Sequence, residues 1–192
     1  VEGRTYQLGP LDNITIPRWL PHQTRNPDSG KTARLHVALA MSTPERDPVT
    51  RSFAQTDMPA NANGTPGFER VTRFSTSDRL PGVDPGTEFL DYFNASLNPG
   101  IEMSGGFARF DSGSRLPDHL HDFDESTCII RGGADCLVEG RQYSLSNCAT
   151  AMVPRGLVHY FINTSEDKMD MIWVYASPMP ERTVIAPVFV NE

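Results

Sequence analysis

The sequence predicts an all-β fold, either a sandwich or a barrel made of many short strands. Glycine and proline, the residues that mark turns, number 15 and 16 among 192 residues. Short apolar runs that alternate with polar residues follow one another at the spacing of strands. These runs cover residues 101–110, 127–131, 134–138, 149–153, 158–162 and 169–175. Only residues 85–92 have a pattern that suits a short helix.

The composition argues against several classes of protein. A net charge of −7 and a pI of about 5.2 disfavour a nucleic-acid partner, because binding phosphates requires clustered Lys and Arg. No apolar run is long enough to suggest a membrane partner, and no signal peptide opens the chain. The chain has three cysteines, Cys128, Cys136 and Cys148. Their odd number and unpaired spacing indicate free thiols in a reducing compartment. We predict that all three are small buried residues. We therefore expect a cytoplasmic protein, while four Asn-x-Ser/Thr sequons keep secretion open as the alternative.

The chain repeats part of itself at an offset of 137 residues. Residues 1–8 and 138–145 are identical at six of eight positions, and the same offset brings residues 16–22 onto residues 153–159. This number of matches at one offset indicates a common origin of the two segments and not a chance similarity.

The repeat predicts the domain organisation. Residues 1–50 correspond to the second half of a domain whose complete copy occupies 66–192, and the Pro- and Asn-rich stretch 51–65 has the composition of a linker. The strands that would complete the first copy belong either to a longer polypeptide, which the start at Val1 favours, or to a partner chain. Because unpaired strand edges need cover, we expect a homo-oligomer or pairing with the missing segment.

Three histidines and one glutamate form a candidate metal site. His119 and His121 project to the same side of a strand, since side chains alternate with period two. Glu125 lies four residues further on, and His159 follows a Pro-Gly turn that could present it from a neighbouring strand. Imidazole and carboxylate donors suit a divalent first-row metal, and four protein ligands would leave about two positions open on an octahedral ion. Open positions indicate a catalytic site and not a structural one.

The stretch 113–163 resembles the two sequence motifs of the cupin superfamily. The motifs are G-x5-H-x-H-x3-4-E-x6-G and G-x5-P-x-G-x2-H-x3-N. The matching residues are Gly113, His119, His121, Glu125, Gly132, Pro154, Gly156, His159 and Asn163. Cys148 stands where the second motif has its first glycine, which is a turn position and not a ligand.

The resemblance implies a jelly-roll β-barrel over residues 66–192 and one divalent transition metal held by the four side chains of the candidate site. Fe or Mn is favoured, and Ni, Zn and Cu are the other metals that the family uses. Together the two copies resemble a bicupin, with additional N-terminal strands from a degenerate copy. His22 corresponds to His159, but the half-copy has no His-x-His partner for it, so we expect residues 1–50 to be metal-free.

The barrel interior beside the metal is the expected substrate pocket. The side chains expected to line it are Phe107, Arg109, Tyr160, Met171 and Trp173. Arg109 is either an interior clamp for a substrate carboxylate, and so a catalytic residue, or an exterior residue in an ion pair. Glu125 would act both as a ligand and as an occasional proton acceptor.

Three functions are carried forward as hypotheses. The first, which the resemblance to cupin dioxygenases implies, is a dioxygenase-type oxidoreductase that acts on a small carboxylated or enolisable substrate. The second is non-redox chemistry in which the metal is a Lewis acid, as in a hydrolase, isomerase, decarboxylase or lyase. The third is a non-catalytic protein that binds a sugar or another small molecule. Open coordination positions and the presence of Glu125 favour the first two.

Overall fold

The structure, a computed structural model, describes residues 1–186, and its regular secondary structure in that range consists of β-strands. The chain divides into two compact units. Unit 1 comprises Val1–Thr76 and Asn98–Gly100, and unit 2 comprises Ser77–Leu97 and the described residues from Ile101 onward. Within the described range, no helix is present that could cross a membrane.

Thirteen strands, numbered in chain order, occur in the described residues. They are β1 (Asn13–Thr15), β2 (Arg70–Thr72), β3 (Leu80–Pro81), β4 (Thr87–Phe93), β5 (Ser104–Phe110), β6 (His119–Leu120), β7 (Glu125–Arg131), β8 (Gly133–Val138), β9 (Arg141–Ser146), β10 (Thr150–Val153), β11 (His159–Asn163), β12 (Met169–Tyr175) and β13 (Thr183–Val184). β1 and β2 pair antiparallel in unit 1, and the other strands belong to unit 2.

Unit 2 is built from two antiparallel sheets. The six-stranded sheet has the order β10-β7-β12-β5-β4-β3, and the five-stranded sheet has the order β13-β6-β11-β8-β9. The hydrophobic core takes side chains from both sheets, among them Phe110, Ile129, Cys136, Phe161 and Met171. Each sheet therefore buries one face against the other. The all-β jelly-roll fold predicted for this part of the chain is confirmed.

The short helix predicted at residues 85–92 is wrong. This stretch forms β4, which pairs antiparallel with β5. β4 buries the side chains of Leu90, Tyr92 and Phe93. Pairing with a distant strand and burial of these side chains outweigh the weak local helical pattern.

Unit 1 contains a buried ion pair between its N-terminal residues and the stretch before β2. The Arg4 guanidinium donates two hydrogen bonds to the Glu69 carboxylate, at 2.6 and 2.9 Å, and the Tyr6 hydroxyl donates a third at 2.7 Å. Glu69 is fully buried and Arg4 nearly so. Burial would raise the pKa of Glu69, but the hydrogen bonds from Arg4 and Tyr6 outweigh burial and hold the pKa below its usual range.

Backbone conformation supports the internal repeat. Both the half-copy predicted at 1–50 and the linker predicted at 51–65 lie in unit 1, which runs on to Thr76 because β2 pairs with β1. Positive φ angles recur at the offset of 137 residues, in the pairs Glu2 (45°) and Glu139 (48°), Gly3 (89°) and Gly140 (74°), Leu11 (64°) and Cys148 (64°), and Trp19 (66°) and Gly156 (79°). Non-glycine residues rarely adopt this region, so the coincidence favours a shared local fold. The domain organisation itself stays a prediction.

One stretch of unit 1 leaves alternating apolar side chains exposed. These are Leu35, Val37, Leu39 and Met41, which lie in no strand of the described chain. Alternation with period two is the pattern of a strand, and the repeat places Val37 at the position of Val174 in β12. Pairing of this stretch with strands of a second copy or of a missing segment stays a prediction.

The Glu69→Gln variant should unfold more easily at neutral pH, by about 2 kcal/mol. It removes the buried counter-charge of Arg4 and leaves only the more exposed Glu2 carboxylate, at 3.4 Å from the guanidinium. The lowered pKa of Glu69 means that the ion pair stabilises the protein above the usual glutamate pKa. This stabilisation is lost as the pH falls through the lowered pKa, so the difference between the two proteins should shrink in acid.

Urea denaturation followed by circular dichroism, repeated at decreasing pH, measures this difference. Glu45→Gln makes the same chemical change at an exposed position of unit 1 and should leave stability unchanged. A difference that stays constant down to acid pH would contradict the ion-pair explanation.

Candidate metal centre

Both sheets of unit 2 contribute to one cluster of histidine and glutamate side chains. β6 and β11 are neighbours in the five-stranded sheet, and His119 is the register partner of His159. His121 comes directly after β6, and its carbonyl accepts a hydrogen bond from the Gly156 amide at 2.7 Å. Glu125 is the first residue of β7, in the six-stranded sheet. The face-to-face packing of the sheets thus brings together residues from separate parts of the chain.

The four side chains lie close enough to bind a single ion. One potential ligand atom from each residue lies within 4.8 Å of the other three, the residues being His119, His121, Glu125 and His159. Oε2 of Glu125 is 2.8 Å from Nε2 of His159 and 3.3 Å from Nε2 of His121. Each of the four residues is at most 3% exposed. The predicted set therefore converges, and the cluster could hold a metal ion.

Backbone carbonyls orient all three imidazole rings. Nδ1 of His119 donates to the Pro117 carbonyl at 2.8 Å, and Nδ1 of His159 donates to the Leu157 carbonyl at 2.9 Å. Nδ1 of His121 donates to the Glu181 carbonyl at 2.5 Å. A neutral ring that carries its proton on Nδ1 presents a lone pair at Nε2, which is the tautomer a metal requires. This applies to His119 and His121, whereas Nε2 of His159 donates to the Glu125 carboxylate at 2.8 Å, a proton that a bound metal would displace.

Two of these Nε2 atoms have the surroundings expected of metal ligands. Nε2 of His119 and Nε2 of His121 are buried and have no hydrogen-bond partner. A buried polar atom without a partner costs about 1–3 kcal/mol, so such atoms are rare in folded proteins. Two of them inside one cluster with a carboxylate match the nitrogen and oxygen donors that first-row metals prefer.

The electrostatics of the cluster favour the protonation states of ligands at His119 and Glu125. Burial lowers the pKa of His119 to about 4, so this imidazole is neutral at neutral pH. Burial would raise the pKa of Glu125, but the contacts of its carboxylate with His121 and His159 outweigh burial and lower the pKa to about 2. Burial acts to lower the pKa of His159, but the hydrogen bond to Glu125 outweighs it and raises the pKa.

Aromatic side chains that the sequence analysis did not select flank His121. The rings of Phe123 and Tyr175 lie 4.9 and 4.6 Å from the His121 ring, measured between centroids, and Trp173 lies 4.7 Å from Tyr175. Burial and the charge of Glu125 raise the pKa of Tyr175 well above its usual value, so its phenol stays protonated. Tyr175 could have been found from its period-two spacing to Trp173. Phe123 lies in a connection, where no such signal exists.

Two of the five predicted pocket residues face the interior of unit 2. Met171 and Trp173 belong to the core cluster and are 2% and 5% exposed. They share one face of β12 with Tyr175, because strand residues two apart point the same way. Through Tyr175 this face adjoins the histidine cluster.

The interior placement predicted for Phe107 and Arg109 is wrong. Ala108 and Phe110 of β5 lie in the core, so Phe107 and Arg109, which alternate with them, lie on the other face of the sheet. The Arg109 guanidinium there donates two hydrogen bonds to the Asp170 carboxylate, at 2.6 and 2.8 Å. The alternative role of Arg109, as an ion-pairing residue outside the barrel interior, fits this geometry.

Tyr160 also lies outside the interior, contrary to its predicted place in the pocket. It stands between His159 and Phe161, whose buried side chains take the inner face of β11. The Arg115 guanidinium covers the Tyr160 ring at 3.7 Å from its centroid. Tyr160 is partly buried and packs against the hydrophobic core, but it alternates with His159 and so takes the opposite face of β11.

The three cysteines are free thiols. Cys128 and Cys136 are buried as predicted, and burial raises the pKa of Cys136 to about 12. Cys148 is exposed, which corrects the prediction for that residue. Its φ of 64° lies in the left-handed region that favours glycine, which agrees with the glycine of the motif at this position.

Similar folds occur among solved structures. The oxalate decarboxylase of Lactobacillus farciminis, in its formate complex, is 14% identical with a TM-score of 0.56 over 71% of this chain and 39% of that one. The polyketide cyclase RemF of Streptomyces resistomycificus is 14% identical with a TM-score of 0.53 over 63% of this chain and 86% of that one. An oxalate oxidase is 18% identical with a TM-score of 0.51 over 72% of each chain. At such identities the likeness concerns the fold alone.

Sequence similarity to a known family covers the strands that build the cluster. No curated protein matches the chain. Residues 106–175, which run from β5 to the end of β12 and include all four residues of the cluster, match the family model of the cupin domain. The match covers less than half of the chain, and it shows that this part of the chain is similar to the cupin domain.

Proposed function

We propose that this protein is a metal-dependent enzyme that holds one divalent transition metal through His119, His121, Glu125 and His159. The observation that carries the proposal is the pair of buried, unpartnered Nε2 atoms beside an ionised carboxylate. Fe or Mn is the proposed metal, because three imidazoles and one carboxylate suit both ions. The substrate is a small organic molecule with a carboxylate or an enolisable group.

The residues of the site have separate tasks in this chemistry. When bound, the metal supplies a Lewis acid with open positions and, for Fe or Mn, a redox couple. Neutral imidazoles and one carboxylate leave the loaded site with a net charge of about +1, which attracts an anionic substrate. Glu125 binds the ion and can accept a proton at its carboxylate. Burial of the cluster excludes bulk water.

A dioxygenase-type oxidation is the first proposed reaction, because His119, His121, Glu125 and His159 would hold a redox metal and leave positions open for a substrate and O₂. Non-redox chemistry at the same ion is the second candidate. The solved structures of similar fold include a decarboxylase as well as an oxidase, so the fold accommodates both. A non-catalytic binder has less support, because it would need neither the buried carboxylate nor the unpartnered Nε2 atoms.

The metal proposal predicts that the purified protein binds one divalent ion per chain and that His159→Ala weakens binding by more than about 100-fold. Even groups that merely orient a ligand contribute about 10- to 100-fold, so loss of a ligand should cost more. Elemental analysis and competition with a chelator measure the affinity. His22→Ala, in the half-copy predicted to be metal-free, is the matched control and should bind normally. Equal metal content in His159→Ala and the unmodified protein would refute the ligand set.

The proposed oxidation predicts O₂ uptake when the Fe- or Mn-loaded protein meets its substrate in a panel of small carboxylic and enolisable acids. An oxygen electrode measures the uptake, which chelation and His121→Ala should abolish and which His22→Ala should not change. If product forms in a metal-dependent way without O₂, the proposed oxidation is wrong and the non-redox reaction is supported. Ligand binding that survives complete chelation would instead support a non-catalytic binder.

A further inference from the structure

Unit 2 buries three further polar side-chain atoms that lack a hydrogen-bond partner and belong to no predicted ligand. These atoms are Oγ of Ser104, Oγ1 of Thr127 and Nε1 of Trp173. The residues are 0%, 1% and 5% exposed. Each unmet buried polar group costs about 1–3 kcal/mol and calls for an explanation, such as a bound ligand.

Strand pairing places these atoms beside the metal cluster. Residues directly opposite each other in an antiparallel sheet share a face, and residues two apart in a strand do as well. Two neighbouring rows therefore cross the inner face of the six-stranded sheet, one formed by Ser104, Tyr175 and Glu125 and the other by Gly106, Trp173 and Thr127. The first row ends at the carboxylate of the cluster.

A glycine fixes where the indole of Trp173 lies. A Cβ at Gly106 would come within 2.6 Å of Cζ2 and 2.9 Å of Cε2 of Trp173, so this edge of the indole lies over Gly106. Nε1 is bonded to Cε2 and therefore sits towards β5, the strand that carries Ser104 two residues away on the same face. Thr127 lies on the opposite side of Trp173, on β7.

The Trp173 ring is in contact with the cluster through one other side chain. The Trp173 ring packs on Tyr175 at 4.7 Å, and Tyr175 packs on His121 at 4.6 Å, measured between centroids. These ring contacts connect the inner face that carries Trp173 and Ser104 to His121 of the cluster. The indole N–H can only donate a hydrogen bond, and a serine hydroxyl can donate one as well.

We propose that Ser104 and Trp173 form a specificity subsite that donates hydrogen bonds to a carboxylate of a small anionic substrate. The inference rests on the proposed metal site, whose net charge of about +1 favours an anion in the same space. Donors paired with a negative oxygen form stronger hydrogen bonds than neutral pairs do. A neutral ligand of the same shape would lose this advantage, so the subsite selects for charge.

Tryptophan fluorescence offers a test that does not depend on turnover. The chain has two tryptophans, Trp19 and Trp173, and Trp19 is 90% exposed. Trp19→Phe leaves Trp173 as the single emitter. The Zn-loaded Trp19→Phe protein is titrated with acetate and oxalate, and with acetamide as the uncharged probe of matching size. Both carboxylates should change the emission saturably, and acetamide should bind at least about 10-fold more weakly.

Two variants test the assigned donors. Ser104→Ala should weaken carboxylate binding by about 10- to 100-fold, the usual range for a hydrogen bond to a charged group. Ser126→Ala, on the opposite face of β7, is the matched control and should bind like the parent. Trp173→Phe keeps an aromatic ring but removes the N–H, and calorimetry should show a similar loss in that variant. Zn content and circular dichroism confirm that each variant is folded and loaded.

The outcomes separate this inference from the proposed function. If Zn binds and Ser104→Ala and Trp173→Phe both retain full carboxylate affinity, the subsite is wrong and the metal site stands. If acetamide binds as tightly as acetate, the selection for charge is wrong. If the parent protein binds no Zn, the proposed function fails, and the subsite that rests on it fails too.

Discussion

Three imidazoles and one carboxylate lie buried between two β-sheets, and the rest of unit 2 must accommodate that placement. Polar groups in such a position destabilise a fold unless each finds a partner. Backbone carbonyls take the three Nδ1 protons, and Glu125 approaches Nε2 of His121 and His159. Nε2 of His119 and Nε2 of His121 still lack a hydrogen-bond partner, and an ion held by the four side chains would bind both atoms. Stability and the proposed metal binding thus depend on the same arrangement.

The segment after β12 belongs to this arrangement although it carries no proposed ligand. Its Glu181 carbonyl orients His121, and β13 pairs with β6 next to His119. The Arg182 guanidinium donates a hydrogen bond to Asp84 at 2.8 Å and so connects the segment to the chain before β4. The orientation of a ligand therefore depends on residues about 60 positions away, as is usual for the groups that surround a metal site.

The sequence does not show which residues of β5 point into the barrel. Nearly every residue of β5 is buried, so hydrophobicity does not distinguish its two sides. The sequence analysis chose Phe107 and Arg109, whereas strand pairing places Ser104 and Gly106 on the inner face. In β11 the choice could have been made, because Tyr160 is adjacent to the proposed ligand His159 and must point away from it.

The sequence by itself indicated the all-β class and the shared side of His119 and His121, because spacing within a strand decides which side chains share a face. Glu125 and His159 joined the set through the resemblance to the cupin motifs. The internal repeat, at an offset of 137 residues, could also be found from the sequence, since finding it needs only a comparison of the chain with itself. Tertiary structure alone decided that residues 87–93 form a strand, which face of β5 looks inward, and that Ser104 and Trp173 lack partners. These features depend on pairing between strands far apart in the chain, and local patterns carry no information about that register.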